Sequence, residues 1–211
     1  MTLDATQALD RLREGNRRFV SNQAAGHVVS DPTRRAELVA GQEPFAIILG
    51  CSDSRVPAEL VFDQGFGDLF VIRVAGNIVA PSQVGSVEFA ASRFGTRLVV
   101  VMGHSQCGAV VATLDEVQGR APNQSRNLRS IVDRIRPSVE TLFASRRIDD
   151  PDRLLNDAVR ANVRASANHL RHGSELLEHL IRADGLVVVG AEYSLETGIV
   201  DFFEGVSRRH A

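Results

Sequence analysis

The amino-acid sequence predicts an α/β fold: a mostly parallel central sheet of four strands plus an antiparallel edge strand, with helices on both faces and an N-terminal helical arm. Three observations carry this. Four short apolar runs, Phe45–Leu49, Leu69–Ile72, Leu98–Met102 and Leu186–Val189, are continuous and not alternating, as strands buried on both faces require. Helix-like stretches separate them, and strand–helix alternation implies right-handed crossovers and a parallel sheet. The chain has 211 residues, 44% of them hydrophobic, which is enough to bury a core without staples.

In order, residues 4–20 place Ala5, Leu9, Leu12, Phe19 and Val20 near helical spacing with arginines between them, an amphipathic helix. A break at Gly26–Pro32 makes it an arm tied on by a loop, residues 1–30 in all, within one domain spanning residues 1–211. Helices are predicted near 57–63, 82–94, 106–118, 126–145 and 152–182. The last segment, Gly198–Phe203, follows a turn and supplies the antiparallel edge strand. Residues 120–172 carry eleven arginines against six acids. With Phe143 as the only aromatic, this stretch lacks the stacking residues of a single-strand binder and reads as a solvated face of arginine–carboxylate pairs.

Composition excludes several chemistries. All 24 basic residues are arginine, so Schiff-base, P-loop and general-base lysines are absent. A net charge of −2 gives no electrostatic reason to expect nucleic acid or an anionic membrane as partner. The start, Met1 to Ala5, lacks the basic and apolar regions of a signal peptide, and no apolar run is long enough to span a bilayer. Two cysteines suit chemical or metal-binding use in a reducing compartment, and the cytoplasm is the expected location.

Those cysteines occupy matching places. Cys51 opens Cys51-Ser-Asp53-Ser-Arg55 after the first strand, and His104 and Cys107 lie in Gly103-His104-Ser-Gln-Cys107-Gly108 after the third. Both groups fall beyond the carboxyl ends of strands, the crevice where open parallel sheets bind ligands. Two thiolates and an imidazole suit zinc and leave its fourth position open, the mark of a catalytic site. Other uses stay open at this point: inert core thiols, a redox disulfide, a cysteine nucleophile activated by His104, or a closed structural zinc.

The double motif resembles the β-class carbonic anhydrases, in order and in separation, over about Gln42–Thr113 and Gly185–Phe203, and loosely between 120 and 180. The resemblance implies one zinc per chain on Cys51, His104 and Cys107, with Asp53 and Arg55 as the catalytic pair. Asp53 also counts as a metal ligand, because the family shows it in either place. Arg55 would hold Asp53 off the metal through a bidentate contact. The implied reaction is reversible hydration of carbon dioxide to bicarbonate and a proton by zinc-bound hydroxide. Gln42, Phe70, Ala75, Phe89 and the Gly108 backbone N–H match the plant-like substrate slot, with phenylalanine at 89 where tyrosine is usual. The family also implies a homodimer or homotetramer. Arg73 and Tyr193 match two residues of a pH-gated subgroup, but Ile48 stands where its tryptophan would be, so steep inhibition by bicarbonate is not expected. Rival readings are a carbonyl sulfide or carbon disulfide hydrolase on the same scaffold, and a non-catalytic zinc or redox protein. His169 and His172, three apart on a helical stretch, read as solvated or capping residues. His27, His179 and His210 offer no more than a proton relay to buffer.

Overall fold

A computed structural model describes residues 3–24, 32–120, 125–145 and 150–206; His27, His210 and the loop of the arm lie outside them. Five strands form one sheet: β1 (Ala46–Gly50), β2 (Leu69–Arg73), β3 (Leu98–His104), β4 (Val187–Tyr193) and β5 (Val200–Glu204), in the order β2-β1-β3-β4-β5. The first four are mutually parallel and β5 runs antiparallel to β4. This is the predicted architecture.

The continuous apolar runs are explained by two cores. Ile48, Val100 and Met102 face one side of the sheet, while Ile47, Leu49, Val99 and Val101 face the other. Successive side chains on a strand point to opposite faces, so a sheet covered twice needs both sets apolar. The first face is covered by α1 (Ala5–Val20) and α3 (Ala58–Val61). Asp4 caps α1 through a reciprocal capping box with Gln7, and Ala8 and Leu12 are fully buried. Gly15 lets α1 lie against α3, since a Cβ there would stand 1.8 Å from the Phe62 carbonyl oxygen. The second face is covered by α4 (Pro81–Arg93), α7 (Pro151–His172) and α8 (Glu175–Ala183). A third apolar cluster, under the carboxyl ends of β1 and β3, joins α5 (Gly108–Val117), α6 (Arg126–Ser145) and α7.

Two details depart from the expected elements. The helix expected over 152–182 is two helices, because Gly173 ends α7 and the Ser174 hydroxyl accepts the Leu177 N–H to cap α8. A short helix, α2 (Pro32–Leu38), stands where no element was expected; it buries none of its residues, so it lacks the apolar periodicity that would reveal it. The arginine-rich stretch is paired across elements: Arg136 with Glu116, Arg160 with Asp201, Arg171 with Glu204.

Candidate metal centre

Because β1 and β3 are neighbours, with Gly50 opposite Met102, their carboxyl ends bring both motifs to one place. Cys51 is the first residue past β1, His104 the last of β3, and Cys107 the N-cap of α5. Their donor atoms lie within 4.8 Å of one another, and all three residues are buried. Among the described residues this is the one group of three such side chains close enough to share an ion; His169 and His172 are not part of any.

Each donor is oriented by its surroundings. The Gly76 N–H donates to Cys51 Sγ at 3.3 Å, from a turn that needs glycine at φ 69°. Ala75 opens that turn and so lies beside the centre. His104 Nδ1 lies 2.8 Å from the Ser105 carbonyl oxygen. A carbonyl only accepts, so the proton sits on Nδ1 and the lone pair on Nε2. That Nε2 is buried with no hydrogen-bond partner in the protein. A buried acceptor left unpaired is costly, and this lone pair, beside two sulfurs, fits the role of a metal ligand. The donor set of two sulfurs and one nitrogen fits zinc and not the hard cations that prefer oxygen.

The titration of the thiols shows how the protein prepares them. Cys51 is pushed down to about 4, first by the hydrogen bond from the Cys107 thiol and, against burial, by His104 and backbone N–H groups. Cys107 is pushed up, first by that same hydrogen bond and then by burial. The hydrogen bond between the two sulfurs favours a negative charge on the pair and so readies it for a cation. Burial works against a charged His104, but the neighbouring Cys51 sulfur, with the Ser105 carbonyl and Asp53, outweighs it and raises it.

Asp53 is held by Arg55 and is not one of the three clustered donors. Arg55 Nε donates to Asp53 Oδ1 at 2.9 Å and Nη2 to Oδ2 at 2.8 Å, and the Arg55 backbone N–H adds a third bond at 3.0 Å. These bonds hold the Asp53 carboxyl well below the usual carboxylate range. Asp53 Oδ2 still lies only 3.9 Å from His104 Nε2. Arg73 was expected only as a match to one residue of a pH-gated subgroup. Here it donates to the carbonyls of Cys51 and Asp53, at 3.0 and 2.6 Å, and braces the loop.

The predicted slot residues divide. Ala75 and Gly108 adjoin the donors, Gly108 being the exposed first residue of α5. Its N–H is at a helix start, where no intrahelical acceptor exists. Gln42, Phe70 and Phe89 are not brought there. Gln42 precedes the amino end of β1, and Phe70 pairs with Ile47 in the amino-terminal half of β2, while the centre lies beyond the carboxyl ends. Phe89 stacks on Phe70 and Phe94 and is 54% exposed. Phe94 and Gln42 line a common groove of about 490 Å³ with Phe66.

The profile of the carbonic anhydrase family matches residues 46–200, which contain every residue of this centre. The chain belongs to the β-carbonic anhydrase family. Carbonic anhydrase 2 of Mycobacterium tuberculosis is 38% identical over 188 residues, covering 89% of this chain and 87% of that protein. The carbonic anhydrase of Mycolicibacterium smegmatis is 37% identical over 195 residues, 90% of this chain and 89% of that one. In fold, the β-carbonic anhydrase CafA of Aspergillus fumigatus superposes with a TM-score of 0.75 at 24% identity, covering 92% of this chain and 89% of that one. Carbonate dehydratase activity is therefore the activity expected of this β-carbonic anhydrase. A carbonyl sulfide or carbon disulfide hydrolase, or a non-catalytic zinc or redox protein, is not favoured. No described helix is long and apolar enough to cross a membrane.

Proposed function

We propose that this chain hydrates carbon dioxide reversibly to bicarbonate and a proton, using one zinc ion per chain held by Cys51, His104 and Cys107. The observation that carries the reading is the unpaired, buried His104 Nε2 facing two cysteine sulfurs, with Asp53 turned onto Arg55 beside it. When bound, zinc supplies Lewis acidity and a water acidified toward neutral pH.

The remaining work belongs to the chain. Arg55 holds the Asp53 carboxylate away from the three donor atoms, so that it would not itself join them around a bound zinc. Asp53, ionised and within reach of the centre, accepts a hydrogen bond from the attacking water and aims its lone pair at carbon dioxide. The Gly108 N–H, at the start of α5, donates to the oxygen on which negative charge develops. Arg73 fixes the Cys51–Asp53 backbone so that these directions are maintained.

Gln42, Phe70 and Phe89 enter as the apolar slot and amide donor of a second copy. Their places before β1, on β2 and on α4, away from the donors, with Phe89 exposed, support a homodimer or homotetramer in which each centre is completed by its neighbour. The reading includes one domain over residues 1–211 and a cytoplasmic location, where free thiols such as Cys51 and Cys107 stay reduced.

Stopped-flow measurement of carbon dioxide hydration, with bound zinc quantified in the same sample, tests this. The expected result is zinc-dependent hydration that is lost in Cys51→Ser. A background rate in a zinc-loaded sample at mildly alkaline pH would overturn it.

A further inference from the structure

Tracing the hydrogen bonds outward from His104 leads to two side chains with no part in the chemistry above. We infer that Ser105 and Glu196 form a positioning pair that sets the direction of the His104 imidazole, an inference that rests on the metal-holding role proposed for His104.

The acceptor that fixes the His104 tautomer is the carbonyl of the very next residue, Ser105. The direction of Nε2 therefore depends on how the Ser105 peptide is turned. That peptide stands next to a costly conformation: Gln106 is at φ 56°, a left-handed region that non-glycine residues adopt only when their surroundings impose it. Arg55 Nη2 donates to the Gln106 carbonyl at 3.4 Å, and the contacts on Ser105 come from the end of β4 and the β4–β5 connection. The Ser105 N–H donates to the Tyr193 carbonyl at 2.9 Å. The Ser105 hydroxyl accepts the Leu195 N–H at 2.9 Å and donates to Glu196 Oε2 at 3.1 Å. Glu196 Oε2 also accepts the Ser194 hydroxyl at 3.1 Å, so one carboxylate oxygen ties the ligand loop to the turn.

The turn is anchored in its own right. Ser194 and Ile199 are bonded across it, N–H to carbonyl, at 2.9 Å. Asn16 of α1, itself buried, accepts the Val200 N–H at 2.9 Å and donates to the Gly198 carbonyl at 2.9 Å. The path from the core of α1 to the imidazole thus runs through the turn, Glu196 and Ser105. Groups that orient a metal-ligating histidine through its second nitrogen change metal affinity about 10–100-fold when removed.

The test compares wild type with Ser105→Ala, Glu196→Ala and Glu196→Gln. Zinc affinity is measured by competition with a chromophoric chelator, and ligand geometry by the visible spectrum of the cobalt(II)-loaded protein. Thermal unfolding of the metal-free protein is followed alongside. Ser105→Ala and Glu196→Ala, which act one step beyond the Ser105 carbonyl that His104 bonds, are expected to weaken zinc binding by about 10-fold, the low end for such partners, and to shift the cobalt bands, with unfolding of the metal-free protein little changed. Glu196→Gln is expected to restore both, because the amide oxygen can accept the same two hydroxyls. If Ser105→Ala fails to fold, the two Glu196 variants decide alone. A wild type that binds zinc tightly beside alanine variants of equal affinity and identical cobalt spectrum overturns the pairing. A wild type that binds no zinc overturns the metal-holding role itself, a different outcome.

Discussion

The loop after β1, residues 51–55, and the loop after β3, residues 104–107, converge on the same three donor atoms but are anchored by different forces. The second is fixed by the fully buried His104 and by hydrogen bonds between Ser105 and the β4–β5 turn, one with the Leu195 backbone and one with the exposed Glu196 carboxylate. The first ends in an ion pair that faces water, with the Arg55 side chain 53% exposed and that of Asp53 19%. Exposed ion pairs are held weakly and are screened by salt. The protein thus builds its ligand set where water cannot compete, and leaves the Asp53–Arg55 contact where a small change of free energy can open it. Holding and gating are separated within one centre.

The comparison breaks most severely if a donor is removed. Cys107→Ser should lose bound zinc and drop carbon dioxide hydration to background, while the fold survives. Circular dichroism beside metal analysis checks this; retained zinc at normal affinity would contradict the role of the second loop.

Asn16 offers the next largest effect, because it serves both sides. Its side chain donates to the Val61 carbonyl, behind the first loop, at 3.1 Å, and holds the turn behind the second. Asn16→Leu leaves these buried backbone groups unpaired, each costing about 1–3 kcal/mol. The expected outcome is a clear fall in unfolding free energy by denaturant titration, together with weaker zinc binding. A stable variant with unchanged affinity would show that α1 does not brace the centre.

The smallest effect sharpens the contrast between two carboxylates. Asp53 has its titration depressed by Arg55, so its contribution to stability is present above its unfolded value and fades only as pH falls through the folded one. Glu192, at the end of β4, is raised instead, first by burial and only partly countered by Arg160. Its contribution is fully present below the unfolded value of 4.5 and is lost as pH rises through the folded one. Glu192→Gln keeps an acceptor for Asn156 without the buried charge. Its unfolding midpoint, measured on metal-free protein, should improve relative to wild type as pH rises from about 4 to 7. A difference that stays flat or falls would refute the assignment.

The legible parts of this chain were those with local signals. Strand runs such as Leu98–Met102 are apolar on both faces, and the two motifs sit directly at their ends, so the place of Cys51, His104 and Cys107 followed from order alone. The bidentate Asp53–Arg55 contact is likewise two residues long. What escaped was carried by distance. Glu196 meets Ser105 from 91 residues away, and Asn16 meets Gly198 from 182 away, with no periodicity to mark either. The break at Gly173–Ser174 was overlooked because apolar spacing continues across it. Gln42, Phe70 and Phe89 matched a pattern, yet their places before β1, on β2 and on α4 put them away from their own chain's donors.

Zinc-loaded Arg55→Ala, assayed by stopped-flow hydration of carbon dioxide with zinc content measured on the same sample, addresses the separation of holding from gating directly. The expected result is a full zinc complement with hydration reduced about a hundred-fold or more, because Asp53, released from Arg55, would be free to join the three donors. A nearly normal rate at full zinc occupancy would contradict it.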